Sequence, residues 1–103
     1  MSFGLLSGAK RELFAAARWY EDKRLGLGDD LLGEVVASLR RLETFPQAGS
    51  PTAGGYRRCI VRRFPYSLIY RHFGNRIIVV AVAHHKRRPR YWLPRAVRED
   101  TDP

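Results

Sequence analysis

From Ser7 to Lys23 the apolar and small residues Leu13, Phe14, Ala16, Ala17 and Tyr20 recur at steps of three and four, while Lys10, Arg11, Arg18 and Glu21 take the rest of the helical wheel. This spacing predicts an amphipathic helix, N-capped by Ser7 and stopping near Arg24, where Gly26 and Gly28 offer the positive φ that helix ends need. A second helix is expected from Asp29 or Asp30, whose carboxylates suit the positive end of the helix dipole. It runs through Leu31, Leu32, Val35, Val36, Leu39 and Leu42 and is closed by Pro46. A link this short folds the two helices into an antiparallel hairpin with both apolar stripes facing a common third layer.

That layer comes from the second half of the chain. The segment QAGSPTAGG reads as a loop, and Tyr56 to Arg63 reads as a strand rich in β formers. Pro65 cannot donate to a ladder, so Phe64-Pro65-Tyr66 is a tight turn, after which Ser67 to Arg71 resumes the β pattern. Phe73-Gly74-Asn75-Arg76 is a hairpin signal, and the apolar run Ile77 to Ala83 is expected to be the central strand, covered on both faces. Within residues 1–8, Phe3 to Leu6 adds a short N-terminal strand. The fold class is α+β, an N-terminal helical hairpin packed on a small, mainly antiparallel sheet, with the other face or its rim left for function. The polar segment 96–103 is expected to fray as a flexible tail.

Composition places these elements in one domain, 1–103, with 45% hydrophobic and 28% charged residues, as in ordinary globular chains. No apolar run reaches the roughly 18 residues that span a bilayer, and no signal-type core opens the chain, so a cytoplasmic protein is expected. The single Cys59 and three histidines complete no zinc spacing, and neither metal nor other cofactor is expected. The charge changes the picture more. Residues 1–52 carry seven basic and seven acidic groups, whereas residues 53–103 carry twelve Arg or Lys and only Glu99, Asp100 and Asp102. The whole net charge of +9 therefore lies in the second half. Between 53 and 98 there is no acid to neutralise it, which points to a polyanionic partner: nucleic acid fits best, a membrane surface less well because no basic amphipathic helix is visible, and an acidic protein partner is open.

Past His84 the sequence becomes His85-Lys86-Arg87-Arg88-Pro89-Arg90-Tyr91-Trp92-Leu93-Pro94-Arg95. Cations here interleave with aromatics, as in strands that meet phosphates with Arg or Lys and stack bases on rings, each stack worth roughly 1 to 3 kcal/mol. The nucleic-acid candidates are Arg57, Arg58, Arg63, Arg71, Lys86, Arg88, Arg90 and Trp92. Trp92 has an equally simple alternative, in which it clamps the C-terminal segment on the core. His84, ending the central strand, is an acid/base candidate, and strand alternation turns His85 to the opposite face.

Taken in order, the "EL…AA.WYE" helix, "GLG", "FPQAG", "YRRCIVRRFPYSLIY", "IIVVAVAH" and "HKRRPRYWLPR" resemble the RelE/ParE toxin superfamily of bacterial toxin-antitoxin, or plasmid stabilisation, systems over roughly residues 9–95. The resemblance implies a growth-inhibiting toxin held inert by a cognate, acidic antitoxin that wraps its helices and sheet. Two mechanisms occur in such proteins. RelE-like members are mRNA interferases, metal-independent endoribonucleases that cut messenger RNA on the ribosome by driving a ribose 2′-hydroxyl onto the adjacent phosphate. Mapped by motif, that chemistry falls to Arg62, Arg87, Tyr91 and His84, with guanidinium groups stabilising the charged phosphate and Tyr or His moving protons.

In RNA-cutting members the turn is commonly followed by Tyr-Arg, whereas here Ser67 follows Tyr66, removing one phosphate clamp. ParE-like members instead bind DNA gyrase and trap its cleaved-DNA state without chemistry of their own. The clustering of cations and aromatics past the central strand favours ribosome-associated RNA cleavage. Gyrase inhibition is the alternative, and a non-toxic basic nucleic-acid-binding domain is the third reading.

Overall fold

Helix α1 (Ser7–Lys23) and helix α2 (Leu27–Thr44) form the expected hairpin in the computed structural model, which describes residues 2–100. Ala9, Leu13, Ala16 and Ala17 of α1 and Leu31, Val35, Leu39 and Leu42 of α2 are buried against the sheet and each other. Both helix starts differ from expectation. The residue flanking α1 is Leu6, with no side-chain cap, and Ser7 already lies inside the helix. Helix α2 begins at Leu27 because Gly26, at φ 89°, turns the chain left-handed. The Glu21 carboxylate of α1 then accepts the N–H groups of Gly26 and Gly28 at 2.9 and 3.0 Å, which serves the orphan donors of the α2 start. Asp29 and Asp30 sit in the first turn rather than before it.

The sheet has five strands in the order β1-β5-β4-β3-β2. Strand β1 (Ser2–Leu5) runs parallel to β5 (Arg76–His84), and β2 (Ser50–Pro51), β3 (Arg57–Ile60), β4 (Tyr66–Phe73) and β5 pair antiparallel in succession. The middle strand is β4, not the apolar run 77–83 expected there, which forms β5 between β4 and the edge strand β1. Strand β3 is shorter than the β-rich run 56–63, because the chain leaves the ladder after Ile60 and turns through residues 62–65, with Arg63 at φ 71°. Tyr70 of β4 anchors the loop that follows α2, donating to the Pro46 carbonyl at 2.7 Å and accepting from the Gly49 N–H at 3.0 Å.

A β-bulge sets the faces of β5. Ile69 pairs with Ala81 and Tyr70 with Val79, so Val80 is the extra residue. Ile77, Val79 and Val82 consequently face the helices, while Val80 and Ala81 both join a second cluster on the opposite face with Tyr56, Ile69, Trp92 and Ala96. That second face is not left open. Helix α3 (Leu93–Asp100) covers it, with Ala96 fully buried, where a fraying tail from residue 96 is expected from sequence. Residues 101–103 of that expected tail lie outside the described residues. Among the described residues no helix is long and apolar enough to cross a membrane.

Candidate functional site

Strand β1 ends at Leu5, so from Val82 onward the outer edge of β5 has no strand beside it. Glu12 of α1 takes over there, accepting the Val82 N–H at 3.0 Å. The same carboxylate receives the Tyr91 hydroxyl at 2.5 Å and both terminal nitrogens of Arg95, at 3.0 and 3.2 Å. Arg95 also reaches the Val80 carbonyl at 3.3 Å. Both Glu12 and Arg95 are more than four-fifths buried, so this is a largely desolvated ion pair with its remaining lone pairs filled. Burial first, and then the hydrogen bond and charge of Glu12, raise the Tyr91 phenol well above its ordinary value, against the smaller opposing pull of Arg95 and Arg87.

Two clefts of about 410 Å³ each flank this network. His84, Arg87 and Tyr91 line both and form the ridge between them. One cleft is aromatic, walled by Trp19, Tyr20, Tyr66 and Tyr91 over Ala16 and Val82. The other is cationic, taking Arg58, His85, Arg87, Arg88 and Arg90 at its rim and Ser67, Ile69 and Trp92 below. At its base the Arg58 Nε–H donates to Ser67 Oγ at 3.1 Å, and Ser67 Oγ lies 3.0 Å from His85 Nε2.

The expected catalytic set divides between these places. His84 and His85 do point to opposite faces: His84 meets the Tyr66 ring edge-on, and His85 meets Ser67. Nδ1 of His84 accepts the Lys86 N–H at 3.0 Å, which leaves the neutral ring with its proton on Nε2 and no free lone pair. Arg87 stacks on Tyr91, its guanidinium 3.9 Å from the ring centroid. Arg62 is exposed in the turn after β3, not on a strand, and lines neither cleft.

The expected nucleic-acid residues divide as well. Lys86, Arg88 and Arg90 are exposed on the loop after β5. Arg58 belongs to the cationic cleft, but Arg57 is turned to the carbonyls of Gly49 and Gln47, at 2.7 and 3.3 Å. Arg63 reaches the acids of α2, Asp30 at 3.5 Å and Glu34 at 3.7 Å, and Arg71 lies over Phe73. Trp92 is only 3% exposed and packs edge-on against Tyr56, so it is the core clamp and not a stacking platform for bases.

Glu12, Ser67 and Arg95 were not legible as site residues, and His85 only as a facing direction. Glu12 had one usable signal in the sequence, since it stands four residues before Ala16 and so on the apolar stripe of the helix. An acid on a buried stripe needs partners. Among the described residues no group of three or more His, Cys, Asp or Glu is placed to hold a metal ion.

Comparison with known proteins agrees with this architecture. The solved chromosomal ParDE toxin-antitoxin system of P. aeruginosa contains a chain that superposes with a TM-score of 0.70 at 22% identity, covering 82% of this chain and 95% of that one. No curated protein matches the sequence. Residues 5–89 match the family described as the ParE toxin of the type II toxin-antitoxin system parDE, a segment reaching from β1 through the helical hairpin and all of β5 into the cationic loop, and the chain therefore belongs to the ParE toxin family.

Proposed function

We propose that this toxin stops growth by binding DNA gyrase as a non-enzymatic inhibitor, and not by cutting messenger RNA. The observation that carries this reading is the commitment of the Tyr91 hydroxyl to Glu12. A general acid or base works best with a pKa near the operating pH and with its proton aimed at the reacting atom. Tyr91 meets neither condition, because its pKa is raised and its proton is directed into the protein. Arg62 lines neither cleft, whereas Arg87 lines both, and His84 has its Nδ1 lone pair in use. What remains is a binding surface, in keeping with the ParE-like mechanism.

The partner that restrains the toxin is an antitoxin, as the toxin-antitoxin description of the family and of the P. aeruginosa structure suggests. Its complement to this chain is acidic, given the surplus of cations after residue 52. The test runs two assays on the same purified toxin, gyrase supercoiling with detection of cleaved DNA, and primer extension on a messenger in reconstituted translation. Loss of supercoiling with accumulated cleaved DNA and an intact messenger is expected. New ribosome-dependent 5′ ends with normal supercoiling would overturn the proposal and restore RNA cleavage.

A further inference from the structure

We infer that the cationic cleft binds the phosphodiester backbone of a nucleic-acid strand without cutting it. Arg58 comes from β3, and Arg87, Arg88 and Arg90 come from the loop after β5, so four guanidinium groups from two separate segments meet at one concavity. No carboxylate lines it, and among the described residues none of Arg58, Arg88 and Arg90 is ion-paired. Like charges gathered this way raise the local potential and are relieved by a polyanion.

The base of the cleft fixes how Arg58 is presented. Its Nε–H is spent on Ser67 Oγ, and Ser67, 1% exposed, is held in turn by His85 Nε2. The terminal N–H groups of Arg58 then remain as a fork for two oxygens of one phosphate. Beneath the cations the lining is apolar, with Ile69, Ala83 and Trp92, which suits the carbon face of a sugar. An acidic peptide would use the charge but not this pairing of forked donors with an apolar floor.

Binding is separate from chemistry here, because the Tyr91 hydroxyl on the rim is donated to Glu12 and the His84 Nδ1 lone pair is taken by Lys86. The inference does not depend on gyrase being the target. The backbone is common to DNA and RNA, so a strand of either kind is expected to bind without sequence preference.

The test is fluorescence polarisation of the full chain with a labelled single strand of about 12 nucleotides, as DNA and as RNA of the same sequence, between about 50 and 200 mM salt. Both strands should bind, with a log–log salt slope of about −2 to −3, and should be recovered intact. Arg58→Gln and Arg88→Gln should each weaken binding about five- to tenfold and flatten the slope by about one unit. Arg40→Gln, an exposed change on α2, should alter nothing.

Circular dichroism establishes that each variant is folded. No binding at the lowest salt, equal losses in all three variants, polyglutamate of matched charge competing as well as the nucleic acid, or cleavage of either strand would each overturn the inference. Strand binding with unaffected supercoiling would support it while removing the gyrase reading.

Discussion

The Tyr91 hydroxyl and the Glu12 carboxylate, 79 residues apart in sequence, meet at 2.5 Å across the rim of the sheet. Glu12 leans from the helix face over the unpaired edge of β5, and Tyr91 and Arg95 come to it from the segment that covers the opposite face. One carboxylate thus joins both layers that sandwich the sheet. Glu12→Gln removes the charge that Arg95 needs in a mostly buried position. Breaking a fully buried pair costs about 3 to 5 kcal/mol, and the residual exposure of both partners lowers this to about 2 to 3. Tyr91→Phe loses one hydrogen bond to a charged acceptor, about 1.5 kcal/mol. Urea denaturation should rank Glu12→Gln well below Tyr91→Phe, and equal midpoints would mean that Glu12 is not the hub.

Tyr91→Phe also separates binding from catalysis in the cell. It keeps the ring that Arg87 stacks on and removes only the hydroxyl. Under gyrase inhibition the variant still arrests growth when expressed without antitoxin. Full loss of toxicity from a variant that is folded and still binds antitoxin would identify the phenol as a working proton carrier.

The phenols also set an alkaline limit on stability. Burial raises Tyr66 and Tyr70 above the ordinary value, and burial together with Glu12 raises Tyr91 further. Above about pH 10 the unfolded chain releases protons that the folded chain keeps. The stabilisation is therefore complete below pH 10 and is lost as pH rises through the folded-state values. Ultraviolet titration of the phenols should lag in the folded protein relative to the denatured chain, and Tyr91→Phe should shorten the lag. Coincident titrations would contradict the buried network.

The helical hairpin, the antiparallel succession of β3, β4 and β5 and the hairpin at Gly74 were legible because each rests on a local period or a turn residue, whereas the place of β4 at the centre and the parallel pairing of β1 with β5 were not. What escaped was set by contacts between distant segments. The bulge at Val80 falls inside an unbroken apolar run, where no alternation exists to reveal a slip of phase. Residues 96–100 read as the start of a polar tail, since four of the eight residues of α3 are charged and only the fold supplies the face against which Ala96 is buried. Arg87, Arg88 and Arg90 of the loop line one cleft, whereas Arg57 is taken by carbonyls of the loop after α2 and Arg63 by acids of α2 itself. Composition gives the number of cations, and only the tertiary fold decides which are left for a ligand.

The two tryptophans report that distinction directly. Trp92 is 3% exposed and Trp19 is 56% exposed. With Trp19→Phe the remaining emission should be blue-shifted and resist acrylamide quenching, and with Trp92→Phe it should be red-shifted and quench readily. Trp92→Ala should cost about 3 to 5 kcal/mol in urea denaturation, as core truncations of this size do. A solvent-like Trp92 that tolerates Ala would return it to the role of a base-stacking residue.

Two glycines of α2 predict opposite outcomes from the same substitution. A Cβ on Gly28 would stand 2.5 Å from the Ala17 carbonyl oxygen of α1 and 3.0 Å from Glu21 Oε1, the carboxylate that caps the helix. The first of these is backbone and cannot rotate away, so Gly28→Ala must separate the two helices and disturb the cap together. Overpacking of this kind costs about 1 to 3 kcal/mol. Gly33 lies on the exposed side of the same helix, and a Cβ there meets nothing within 4 Å. Gly33→Ala should instead stabilise by about 0.5 to 1 kcal/mol, through higher helix propensity and a less flexible unfolded chain. Thermal melts of the two variants should move in opposite directions from the parent. If both rise, the close crossing of α1 and α2 at Gly28 is wrong, and with it the cap that lets α2 begin two residues before its acids.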